Sequence, residues 1–393
     1  MTIAVAAATD ALLGTYRRAP MELVRGKGVE LFDAEGKSYL DFVAGIAVNA
    51  LGYGDAGLER AMREALDGGL VHVSNLYRTS PGERLSEKLA ESSFADRVFF
   101  CNSGAEANEG AFKMARRWAR AHFESSKHEI IALRGAFHGR LFGTLAATDR
   151  WQYRMPFRPL AGGISITERD LGELDARLNP ETVAAVIVEP VQGEGGVRVI
   201  DPEFLRGLRT LTRERNVLLI VDEIQSGYGR TGTFWAHEHA GITPDILTAA
   251  KPMAGGLPMG AILLTQAVAD AMQPGDHGTT FGGGPFLASV ALHVYDRLSD
   301  PKMLAHVTED GAWLGAALHA MAARSSKVRA IRGVGYIWGL DVTEAAKDVV
   351  ARALDLGLLI CSAGEHTIRL LPPLVATRAD LARGVQLLEQ AIG

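Results

Sequence analysis

The sequence predicts an α/β fold: a large domain on a mainly parallel sheet covered by helices on both faces, followed by a smaller C-terminal α+β domain. Three observations carry this. From about residue 95 onward, short apolar runs alternate with stretches of helical periodicity, the pattern of doubly buried strands joined by crossover helices. That alternation ends at a glycine-rich segment, 277–285, beyond which helical and strand-like stretches follow in a different order. The chain has 393 residues, 47% hydrophobic and 22% charged, enough for two or three domains with cores that need neither disulfides nor a metal.

Residues 1–8 are apolar without a basic leader, and Asp10 interrupts the run before a signal-peptide core is complete. Residues 28–42 alternate apolar and polar side chains about Ala34-Glu35-Gly36, which predicts a hairpin in an N-terminal segment, 1–45, packed on the rest. The large domain spans 46–285. Its strands are expected at 97–101, 129–133, 183–188, 217–222 and 259–265, with a short strand-like piece at 245–248; 105–120 and 202–216 have helical spacing. The small domain spans 286–393. It comprises a long amphipathic stretch at 287–324, strands at 336–342, 358–361 and 367–371, a helix at 345–356 and a last helix from Arg378.

Lys and Arg total 41 against 46 Asp and Glu, a net charge of −5 without long charged runs, which argues against a nucleic-acid partner. Cys101 and Cys361 stand far apart and read as two buried apolar thiols, not as a disulfide or zinc site. His237-Glu238-His239 lacks the H-E-x-x-H spacing, so no metal is expected. The apolar stretch 254–272 is interrupted by Gly255, Gly256, Pro258, Gln266 and Asp270, leaving no bilayer span and a cytoplasmic location as the expectation.

Two G-x-G-x-x-G runs could be mistaken for dinucleotide fingerprints. In 52–57, Gly45 and Asn49 break the preceding run, and no βαβ unit with a ribose-binding acid follows. The run 227–232 follows a good strand but leaves only 233–240 before the next glycine, too little for a crossover helix.

Three other constellations carry chemistry. Asn102-Ser103-Gly104-Ala105-Glu106 stands where a strand yields to a helix, with Ser103 and Glu106 spaced as a capping box. Its free N–H groups suit either a phosphate or nothing beyond a capped helix. The run 217–225 carries two acids, Asp222 and Glu223, at the strand end that faces the ligand crevice of an open α/β sheet. A carboxylate there needs a cationic partner, either a structural arginine or a protonated pyridine nitrogen. Lys251 follows Thr248-Ala249-Ala250 among small and apolar residues, where desolvation lowers an amine's pKa and readies it for Schiff-base chemistry; the alternative is a lysine snorkelling from the core.

In that order the three are the anchors pyridoxal 5′-phosphate (PLP) requires. The sequence here resembles the class III, fold-type I aminotransferases, most closely the acetylornithine aminotransferases. The resemblance runs from Leu31-Phe32-Asp33 to Arg369-Leu370-Leu371-Pro372, through CNSGAEANEGAFK (101–113), GAFHGR (135–140), VEPVQGEGG (188–196), VDEIQSGYGRTG (221–232), PDILTAAK (244–251) and HGTTFGGGP (277–285). It implies a seven-stranded type of sheet and a homodimer. It further implies that Ser103, Gly104 and Ala105 hold the phosphate, Phe137 stacks on the ring, Asp222 keeps the ring nitrogen protonated, Gln225 lies near the ring hydroxyl, and Lys251 bonds the cofactor's aldehyde carbon. Thr280 would reach the neighbouring subunit's cofactor, with Thr279 beside the substrate. Arg140 would take one substrate carboxylate and Arg369 the α-carboxylate of glutamate or 2-oxoglutarate, Glu194 shielding Arg369 when the amino donor is bound.

The resemblance thus implies transfer of the terminal amino group of N2-acetylornithine to 2-oxoglutarate. Rivals are ornithine, succinylornithine, 4-aminobutyrate or a carrier-bound lysine as donor, an aminomutase of the same fold, and a nicotinamide oxidoreductase using 52–57. The chain departs from the family at Lys251-Pro252-Met253-Ala254-Gly255-Gly256, where AK-A-L-G-G-G is usual, and at Gly282-Gly283-Gly284-Pro285, where GGNP is usual. Both border the site and bear on donor choice.

Overall fold

The computed structural model describes residues 11–393; the leader-free reading of 1–8 lies outside the described residues. At the centre is a seven-stranded sheet in the order Arg97–Cys101, Gly260–Leu264, Ile246–Ala249, Leu218–Asp222, Val183–Val188, Glu129–Leu133, Ile164–Thr167. Every residue of Val183–Val188 and Leu218–Asp222 is buried, as strands covered on both faces must be. The sheet is mixed: Gly260–Leu264 runs antiparallel to both neighbours, and the other pairings are parallel. The edge strand Ile164–Thr167 escaped the sequence reading because it is short and only partly buried, so it lacks a continuous apolar run.

The stretch 287–324 is two helices, Pro285–Leu298 and Pro301–Ala322. Pro301 lacks the N–H that continuation needs, and the Asp300 carboxylate caps the new helix by accepting from Lys302 N. The first helix packs against Ala56–Asp67 and Ser80–Glu91. The C-terminal sheet has the order Val328–Val334, Ile337–Val342, Thr367–Leu370, Cys361–Ser362. Its first strand was not anticipated, since Arg329 and Arg332 interrupt its apolar residues. At the N-terminal end, the hairpin gains a third strand: Leu23–Lys27, Glu30–Asp33 and Ser38–Asp41 pair antiparallel, and Leu358–Leu359 completes that sheet.

Both glycine-rich runs are structural. Gly28 and Tyr53 exchange backbone hydrogen bonds, which ties 52–57 to the N-terminal strands. In 227–232 the buried Arg230 guanidinium donates to the carbonyls of Tyr336 and Pro372, stitching the large domain to the C-terminal sheet, and burial pushes it down to about 9. Residues 44–47 form a left-handed turn, with φ of 49°, 63°, 64° and 63°. L-residues pay roughly 1–2 kcal/mol each for that conformation; Asp41 holds it by accepting from Val43 N and Ala44 N.

Candidate active site

A cavity of about 450 Å³ opens where the Arg97–Cys101 and Leu218–Asp222 strands end, the ligand position expected of an open α/β sheet. Ser103, Gly104, Ala105, Phe137, Arg140, Glu194, Asp222, Gln225 and Lys251 all line it.

Ser103 is the N-cap of helix Gly104–His122, its Oγ accepting from Glu106 N at 3.2 Å. The return bond is displaced by one residue: Glu106 Oε2 accepts from Asn102 N at 2.7 Å and from Asn102 Nδ2 at 2.9 Å. The first N–H groups of this helix have no intrahelical acceptor and border the cavity. A Cβ at 104 would stand 2.8 Å from Ile224 Cδ1 and Cγ2, so any residue larger than Gly104 would have to displace that side chain.

Asp222 is held by three donors. Its Oδ2 accepts from Asn108 Nδ2 at 2.7 Å and His138 Nδ1 at 2.8 Å, and its Oδ1 from Ile224 N at 3.1 Å. Thr248 Oγ1 donates to Asn108 Oδ1 at 2.7 Å, fixing the amide. No arginine bonds Asp222 among the described residues, so the structural-arginine alternative falls. Asn108 and His138 were missed as site residues; their only sequence signal was their place inside the helix start and the GAFHGR run.

Lys251 opens a short 3-10 turn directly after the Ile246–Ala249 strand and Ala250. Its ammonium makes no hydrogen bond or salt bridge among the described residues. Desolvation and the Arg369 charge lower it to about 8, against the pull of Glu194, Asp222 and Glu189. Glu189, another residue the sequence reading left without a role, accepts from Phe137 N at 3.1 Å; burial and the Asp222 charge hold its carboxyl well above the ordinary range.

Arg369 is 2% exposed and pairs with Glu194, Nη1 to Oε1 at 2.6 Å. Gln225 Oε1 accepts from the same Nη1 at 3.3 Å, so Gln225 turns toward the arginine. Arg369 Nε donates to Cys361 Sγ at 3.4 Å. The expectation of two buried apolar thiols therefore holds for Cys101, whose thiol burial pushes up to about 12, and is corrected for Cys361, half-buried against a guanidinium. Arg140 lies at the exposed rim, its guanidinium 3.5 Å from the Tyr153 ring centroid and 5.8 Å from that of Phe137.

Thr279 and Thr280 are not in this cavity. With His72, Ser74, Asn75 and Leu76 they line a separate open one of about 440 Å³. The two are linked by Asn102 Nδ2, which donates to Thr279 Oγ1 at 2.9 Å. Among the described residues no His, Cys, Asp and Glu cluster could hold a metal, and no helix is long and apolar enough to cross a membrane.

A ligand for the main cavity must be anionic opposite the helix start, cationic at Asp222 and electrophilic beside an unbonded, easily deprotonated lysine. PLP fits these residues on all three counts, and fold and site together define a PLP-dependent transferase of fold type I. The chain belongs to the class III aminotransferases, whose family model matches residues 14–392. It is 44% identical over 393 residues to a mitochondrial acetylornithine aminotransferase of Alnus glutinosa, covering 98% of this chain and 86% of that one. A succinylornithine transaminase of Yersinia enterocolitica is 42% identical over 392 residues, covering 97% and 94%. The solved ornithine aminotransferase of Toxoplasma gondii, with partial occupancy of PLP at its active site, superposes with a TM-score of 0.93 at 30% identity, covering 98% and 92%. The protein is a PLP-dependent aminotransferase.

Proposed function

We propose that the enzyme moves the terminal amino group of N2-acetylornithine to 2-oxoglutarate, giving the semialdehyde and glutamate. The observation that carries this is the pairing of Glu194, which lines the Lys251 cavity, with the buried Arg369: one site must accept a donor by its terminal amine and then a dicarboxylate, and a guanidinium with an exchangeable internal partner serves both. The names of the relatives support this donor class. When bound, the cofactor supplies the aldehyde that captures the donor's amine and the electron sink for the resulting carbanion. Gly104 and Ala105 bind its phosphate by their N–H groups, Phe137 orients the ring and Asp222 holds the proton on the ring nitrogen. Lys251 Nζ would be the base that takes the proton from the donor's terminal carbon and, as its ammonium, gives it up again to complete the transfer. Arg140 and Arg369 bind carboxylates. The enzyme works as a cytoplasmic homodimer in which Thr280 reaches the neighbouring cofactor; the exposed Leu70, Val71, Leu76, Tyr77 and Phe281 near that second cavity support such an interface. A panel of ω-amino donors assayed with 2-oxoglutarate tests the reading. Acetylornithine is expected to show the highest kcat/KM; a clear preference for succinylornithine, ornithine or 4-aminobutyrate would replace it.

Two further results are expected. Lys251, lowered to about 8, is protonated below that pH and a free amine above it. PLP uptake by the apoenzyme, followed by visible absorbance, is therefore expected to rise with pH and reach half its maximum near pH 8, whereas an ordinary lysine would place the midpoint above 10. Glu194→Ala leaves Arg369 without its carboxylate partner in both half-reactions. It is expected to raise α-transamination of glutamate relative to ω-transamination of acetylornithine, by roughly five-fold or more for a coupling of 1–3 kcal/mol. Stopped-flow rates of the two half-reactions measure this, and an unchanged ratio would show the ion pair to be static.

A further inference from the structure

Four residues form one cross-strand row in the C-terminal sheet: Arg332 lies opposite Gly339, Gly339 opposite Arg369, and Arg369 opposite Cys361. Directly opposed residues project from the same face, and on this face rests the turn 193–197 that carries Glu194. Gly339 makes the room, since a Cβ there would stand 2.8 Å from Val197 Cβ and 3.2 Å from Gly196 O. On one side of Gly339, Arg369 takes the Glu194 carboxylate. On the other, Arg332 Nε donates to Gly196 O at 2.6 Å, while its Nη1 and Nη2 grip the Asp341 carboxylate at 2.7 Å each. Thr367 Oγ1, two residues before Arg369, donates to Asp341 Oδ1 at 2.6 Å. The turn needs holding: Val197 has φ of 51°, a conformation that β-branched residues seldom adopt.

We propose that Arg332 is a positioning residue for substrate choice: by pinning the carbonyl of Gly196 it fixes where Glu194 stands, and thereby how firmly Glu194 competes with an incoming carboxylate for Arg369. The inference rests on the reading of Glu194 as the partner that a substrate carboxylate displaces. With the backbone pinned there, and with Arg150 donating to Glu194 O on the other side, the exchange is a rotation of one partly exposed side chain. Charge-assisted hydrogen bonds weaken steeply as geometry degrades. Freeing the turn therefore loosens the pair while both of its charges remain.

The test compares holoenzymes of wild type, Arg332→Gln, Arg332→Lys, Gly339→Ala and Glu194→Ala. Two readouts are taken: the Kd of glutarate, an unreactive dicarboxylate, by calorimetry, and the ratio of α- to ω-transamination rates. The cofactor's visible band and the melting temperature report folding. Arg332→Gln removes the clamp and Gly339→Ala pushes the turn off the sheet without touching a charge. Both are expected to bind glutarate about two- to tenfold more tightly, the effect of roughly one hydrogen bond, and to raise the α/ω ratio, with Arg332→Lys in between. If Glu194→Ala moves both readouts and the other variants move only the melting temperature, Arg332 is merely structural and the proposal is overturned. Weaker glutarate binding in Arg332→Gln overturns it too, since Arg332 would then be orienting Arg369 itself. If Glu194→Ala moves neither readout, the reading of Glu194 fails and takes this inference with it.

Discussion

Lys251→Ala is expected to fold, to bind PLP through the helix start and the Asp222 end of the cavity, and to lose multiple turnover. The physical reason is that one group does two jobs. Lys251 Nζ lies in the cavity with no hydrogen bond or salt bridge among the described residues and with its pKa lowered to about 8, which in the proposed reading makes it both the nucleophile for the cofactor's aldehyde and the base that moves the substrate proton. Glu189 and Asp222 line the same cavity, but the first is a buried carboxyl held well above the ordinary range by desolvation and the Asp222 charge and the second is committed to three donors. Neither can replace an amine. A positioned proton-transfer group is worth about 10²–10⁴ in rate, and losing the aldehyde exchange adds to that. Steady-state activity of the variant, together with borohydride reduction and mass spectrometry of the wild type to find the modified lysine, checks the assignment. Turnover within tenfold of wild type would remove Lys251 from the centre of the mechanism.

Asp222→Asn is expected to slow proton transfer by at least about 10²–10³, the range for losing one preorganised electrostatic partner, with little change in donor binding. An amide carries no charge to hold the proton on a pyridine nitrogen. The fold should tolerate the change. An asparagine with its oxygen in the Oδ2 position keeps the bonds from Asn108 Nδ2 and His138 Nδ1 and loses only the longest, from Ile224 N at 3.1 Å. Single-turnover kinetics with the melting temperature as a control measure this; wild-type single-turnover rates would refute the pairing of Asp222 with the ring.

Much of this protein is legible in the sequence because its strands are buried on both faces. Val183–Val188 and Leu218–Asp222 read as unbroken apolar runs for the same reason that they lie in the middle of the sheet, and the acidic pair Asp222-Glu223 and the lysine Lys251 stand out just past the apolar residues of such runs. Ser103 could be assigned as a helix cap because capping is a contact between residues close in sequence. Where burial is partial, the signal thins: Ile164–Thr167 and Val328–Val334 are strands whose exposed or charged residues break the period. Local chemistry went only so far with the long stretch 287–324, where the break at Asp300-Pro301 is written in the residues but was outweighed by continuous amphipathicity.

What the sequence by itself determined is therefore the class of fold and the order along the chain of the three constellations that come to line one cavity. Only the tertiary structure decided their partners. That Asp222 is held by Asn108 and His138, that Cys361 lies against Arg369, that Thr280 belongs to a different cavity from Lys251, and that Arg332 and Arg369 flank one glycine are all contacts between residues far apart in the chain. Periodicity and capping report on a residue's nearest few neighbours along the backbone. Register between strands and the convergence of loops depend on how the whole core packs, and no short window of sequence contains that information.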